Sequence, residues 1–81
     1  MPRYFIDTSD GNLSIIDDVG QEIASDEAAR TAALDALPDM ARDEIPDGDE
    51  RTFSVSLRNM RGDIVYSAQL VLKGRWHRPG D

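Results

Sequence analysis

The sequence predicts an α+β two-layer domain, one kinked helix packed on a four-stranded antiparallel sheet, in the order β-β-α-β-β. Three observations predict it. Two turn-linked pairs of segments alternate as strands do, and a long alanine-rich segment between them repeats its apolar residues at helical spacing. The chain is also short, at 81 residues, which leaves room for one domain.

The first strand is "RYFIDT" (Arg3 to Thr8), rich in aromatic and β-branched residues. "SDGN" follows with the residue types that tolerate the left-handed backbone of tight turns, and "LSIID" returns as the second strand. "DDVG" ends that hairpin, and Gln21 to Ile23 form a short extended piece. Ser25 then offers a hydroxyl to the free N–H groups of a helix start, with Asp26 and Glu27 complementing its dipole. Ala29, Ala33, Leu37, Met40 and Ala41 fall on one face. Pro38 interrupts the hydrogen bonding, but the spacing continues past it, so one kinked helix runs to about Glu44.

"RTFSVSLR" (Arg51 to Arg58) alternates most cleanly, with Phe53, Val55 and Leu57 on one side. "NMRGD" turns the chain, and Ile64, Tyr66, Ala68, Leu70 and Leu72 mark the inner face of the last strand. If the third strand pairs with the first, the sheet is wholly antiparallel, in the order 2-1-3-4. The helix covers one face. On the other, alternation places Phe5, Ile16, Val65 and Val71 among serines, Thr52 and Gln69. That mixture suits a homodimer surface, and equally a solvated sheet face. Residues 1–73 form the expected domain, and 74–81 a basic, flexible tail.

The net charge of −7 is unevenly divided. Up to Glu50 there are fourteen acids against three arginines, a net of −11; from Arg51 onward six bases face two acids, a net of +4. An acidic first half repels a phosphate backbone, which argues against direct nucleic-acid binding. The chain contains no cysteine, as suits a reducing compartment. No segment has the pattern of a signal peptide or the length of a membrane span, so the expectation is a soluble cytoplasmic protein.

"DEIPDGDE" (Asp43 to Glu50) concentrates five carboxylates and could hold a divalent cation. Calcium loops of the EF-hand kind need oxygen ligands at alternate positions and a glutamate at the twelfth. Counted from Asp43, the third, ninth and twelfth positions are Ile45, Arg51 and Ser54, which fail that test. Asp43, Asp47, Asp49 and Glu50 thus form at best a weak cation site, and a helix stop at Pro46 with a turn at Asp47-Gly48 explains the segment as well. Asp17 and Asp18 would matter to such a site only if the fold brought them near. Catalysis lacks a candidate. His77 lies in the expected tail, no serine sits in a nucleophile-elbow context, and no carboxylate pair stands out, so neither an enzyme nor a cofactor is indicated. "KGRWHR" (Lys73 to Arg78) interleaves bases with an aromatic residue. Arg75 and Trp76 could stack on a nucleotide and contact its phosphate, but the acidic first half favours contacts with a protein, either the acidic helix of this chain or that of a second copy.

The blocks "MPRYFID", "DDVGQEI", "EAARTAALDAL", "MARDEIPDGD" and "FSVSLRNMRGDIVYSAQL", in this order, resemble a family of short proteins from soil and plant-associated proteobacteria that share a domain of unknown function. The likeness spans Met1 to about Leu72. It implies a bacterial origin and a common small domain, and it assigns no activity and no site residue.

Three functional expectations follow. The first is a small acidic, non-enzymatic protein–protein interaction module, homodimeric through the open sheet face. The second is an antitoxin-like or regulatory partner of a basic nucleic-acid-binding protein, and the third a weak divalent-cation binder.

Overall fold

In the computed structural model, which describes residues 2–44 and 48–78, the chain forms the α+β two-layer domain that the sequence predicts. Strands β1 (Arg3–Ser9), β2 (Ser14–Ile15) and β3 (Gln21–Glu22) precede helix α1 (Asp26–Glu44), and β4 (Glu50–Arg58) and β5 (Ile64–Lys73) follow it. The strand order is β2-β1-β4-β5, with every pairing antiparallel. β3 also pairs with β1, at its opposite end from β2, so two short strands share one edge of β1. The expected helix stop at Pro46 and turn at Asp47 lie outside the described residues.

Local chemistry explains where the elements begin and turn. The Ser25 hydroxyl accepts the Ala28 amide at 3.1 Å and starts α1 as an N-cap. The Asp10 carboxylate accepts the amides of Asn12 and Leu13, which closes the β1–β2 turn around Gly11, whose φ is +95°. Asn59 closes the β4–β5 turn similarly, accepting the amides of Arg61 and Asp63.

The core lies between α1 and the centre of the sheet. Ala29, Ala33, Leu37 and Ala41 recur every fourth residue and are buried. Three of these four are alanines, so the helix backbone sits close to the sheet, and Phe53, Val55 and Leu57 of β4 fill the space beneath it. Tyr4 joins this core from β1 and donates its hydroxyl to the Asp26 carboxylate in the first turn of α1. Its phenol pKa is raised by that bond, by burial and by the neighbouring negative charge.

Two sequence expectations change. The second strand is shorter than "LSIID", because past Ile15 the Asp17 side chain replaces backbone pairing and accepts the Ile6 amide of β1 at 3.1 Å. The register of β4 on β5 shifts between Leu57 and Arg58: Leu57 stands opposite Tyr66 and Arg58 opposite Ile64, which leaves Val65 as an extra residue. Ile64 therefore lies on the open face, not on the helix side where simple alternation puts it. Val65 makes the reverse exchange and joins Leu57 and Tyr66 in a pocket on the helix side.

Candidate interaction surface

The open face carries charged groups besides the mixture of apolar and small polar residues that alternation places there. Its β1 end carries a polar network built on Arg58. The guanidinium donates to both oxygens of Asp7, at 2.6 and 3.0 Å, and to the Asp17 carbonyl at 2.8 Å. The Asp17 amide in turn donates to Asp7 at 2.9 Å. The Asp17 carboxylate accepts the amides of Gly20, Val19 and Ile6. Asp7 is held below the usual carboxylate range chiefly by the Arg58 hydrogen bonds, and Asp17 chiefly by the Gly20 amide and those of Ile6 and Val19. Phe5 lies half-buried under this guanidinium, 5.0 Å from ring centre to the cation's carbon.

Gly20 completes the arrangement. Its φ is +76°, and a Cβ there would come within 2.9 Å of both the Phe5 ring and the Tyr4 carbonyl oxygen. The sequence marks "DDVG" as a turn, but nothing in it shows that Asp17 reaches Asp7, ten residues back, and Arg58, forty-one residues on. The signal available was Arg58, which follows Thr52, Ser54 and Ser56 on one face of β4 as the sole base there.

A second arginine, Arg51, ties the other end of the sheet together. It donates to the Asp10 carbonyl and to Glu44 at the end of α1, and lies 3.7 Å from the Asp10 carboxylate. Two bases from the C-terminal half thus offset part of the acidity of the N-terminal half.

The apolar surface is concentrated at the β5 side. β5 pairs with β4 and, among the described residues, with nothing on its other edge. Ile64, Leu70 and Val71 are 64, 41 and 51 % exposed. Val71 stands on the open face opposite Thr52, whereas Ile16, also exposed, lies at the far side of the sheet beyond β2. Phe5, Ile16, Val65 and Val71 are therefore not gathered into one patch. Past Lys73, residues Gly74 to Arg78 carry on without a turn or bend; Trp76 is 73 % exposed, and Arg78 lies over its ring. Arg75 is exposed beside it.

The pocket beside the register shift measures about 160 Å³. Leu57, Val65 and Tyr66 line it from the sheet, and Asp26, Glu27 and Arg30 from the first turns of α1. A groove of about 210 Å³ at the opposite edge lies between β2 and the end of α1, where Asp43 and Glu44 face Leu13 and Ile15. Asp43 thus faces β2, while Asp49 and Glu50 stand at the start of β4, and Asp47 lies outside the described residues. Among the described residues no group of three or more histidines, cysteines or acids is placed to hold a metal ion. No described helix is long and apolar enough to cross a membrane.

The family model described as "Domain of unknown function (DUF6894)" matches residues 3–71. No curated protein and no solved structure matches the chain.

Proposed function

From the premise that the chain belongs to the DUF6894 family, we propose that it is a small acidic, non-enzymatic interaction module that pairs with a second copy of itself. One observation carries the reading: β5 is a ten-residue strand whose outer edge pairs with nothing among the described residues, and it has exposed apolar residues on both its faces. Folded proteins protect such edges with proline, inward-pointing charge or very short strands. β5 contains no proline, and its sole charge is Lys73 at the last position. Pairing β5 with its copy in antiparallel fashion satisfies the free backbone groups and brings the two sets of apolar residues together. The proposal places the protein in a bacterial cytoplasm, as its sequence blocks and lack of cysteine suggest.

Sedimentation equilibrium tests this. The wild-type chain is expected to dimerise and Leu70→Lys to remain monomeric, with an unchanged circular dichroism spectrum. A wild-type chain that stays monomeric at high concentration sinks the proposal.

The solvent side of α1 supports a second reading, a regulatory or antitoxin-like partner for a basic nucleic-acid-binding protein. Asp35 and Asp39 are exposed there, Asp26, Glu27 and Asp43 are exposed at the two ends of the helix, and within α1 Arg30 and Arg42 offset them. Co-purification of a basic protein that Asp35→Lys/Asp39→Lys releases would favour this reading, and capture insensitive to those changes would oppose it.

A further inference from the structure

We infer that, when two copies pair along β5, Trp76 of each copy fills the pocket of the other between the first turns of α1 and the register shift of β5. This rests on the self-pairing proposed above and adds where the segment beyond the strand goes.

Geometry carries the argument. Tyr66, Ala68 and Leu72 point toward the helix side, and Trp76 has the same even parity along a segment that continues without a bend. In an antiparallel pair with both helices on one side of the sheet, opposed residues share a face, so each Trp76 lies on the helix side of its partner. A pairing centred between Ala68 and Leu70 sets Trp76 opposite positions 60 to 64 of the other chain. That is where the second copy's β5 begins, within an indole's reach of Val65. The pocket stands there because the extra residue in β5 turns Val65 to the helix side.

Chemistry agrees with the placement. Leu57, Val65 and Tyr66 offer an apolar wall to the indole. Asp26 and Glu27 line the same pocket, and Glu27 pairs with no cation among the described residues. Arg75 and Arg78 flank Trp76 and likewise pair with no acid among them. The groove near β2 is more acidic but sits on the edge of the sheet farthest from β5, out of reach of this pairing.

Trp76 is the single tryptophan of the chain, so its fluorescence reports on this contact alone. Emission and acrylamide quenching are to be followed across a concentration series, with sedimentation equilibrium on the same samples. The expected result is a dimer whose formation shifts the emission to the blue and shields the indole from quencher. Trp76→Ala should then raise the dimer Kd by ~30-fold, as loss of a buried aromatic anchor does. Glu27→Lys should weaken pairing by about tenfold, as loss of one interfacial charge pair does, and Arg78→Glu in the same chain should restore it. A dimer with solvent-like, fully quenched emission overturns this inference and leaves the self-pairing standing. A monomer with solvent-like emission overturns both, and a monomer with blue-shifted emission shows that the indole is covered within its own chain and overturns both as well.

Discussion

Arg58 and Asp17 between them replace a length of strand. Where β1 lacks a backbone partner, the Asp17 carboxylate accepts the Ile6 amide, and Arg58 balances the charge that this brings beside Asp7. Arg58→Met should leave two adjacent carboxylates without their cation and lower the thermal midpoint, measured by circular dichroism. The pH dependence has a definite sign. Asp7 and Asp17 titrate below their ordinary value of 3.8 in the folded chain. Their stabilisation is therefore complete above that value and disappears as the pH falls through the lower, folded values. Asp17→Asn should flatten the loss of stability below pH ~4 seen in urea titrations of the parent chain. None of this could be read from the sequence, because a contact across fifty residues leaves no local pattern. The turn residues Asp10 and Asn59 were legible, since their bonds reach only two to four residues along.

At the scale of elements the helix was the most legible part. Its cap at Ser25 and its apolar face every fourth residue are local, repeated signals, and Pro38 does not break it. The proline still lacks an N–H for the Leu34 carbonyl, so Pro38→Ala is expected to raise stability by ~1–3 kcal/mol in urea unfolding. β4 was equally plain, with Phe53, Val55 and Leu57 all buried as alternation requires. Phe53→Ala should cost about 3–5 kcal/mol, which takes most of the stability of so short a chain and leaves it largely unfolded by circular dichroism. β5 was legible only in part. Alternation assumes that no residue is extra, and the shift at Val65 exchanges the faces of Ile64 and Val65. The second strand was overread for a related reason: "LSIID" has strand composition, but its last residue pairs through its side chain.

The whole molecule is extended for its length. Its radius of gyration is 15.4 Å, against about 12 Å for a closed domain of this many residues, and its longest dimension is 57 Å. β5 accounts for roughly 33 Å of that dimension at the usual rise per residue, and Gly74 to Arg78 continue beyond it. An extended outline with an open edge and a protruding tryptophan suits a chain completed by another. Small-angle scattering gives the corresponding prediction: if two copies pair along β5 as proposed, the radius of gyration should grow by much less than two closed domains laid end to end would require, because Gly74 to Arg78 of each copy would lie along the other.

The two short strands on β1 limit how far such pairing can go. β2 and β3 occupy the two ends of that edge, and Asp17 takes up the amide of Ile6 between them. That side of the sheet thus ends in strands of two residues, whereas the ten-residue β5 pairs with nothing on its outer edge among the described residues. In the proposed pairing, a copy that joins at β5 would present its own side with the two-residue strands outward, a poor template for a third copy. The pairing proposed above therefore has a valence of one: it would end at two copies, where a sheet with two long open edges would grow into a fibre.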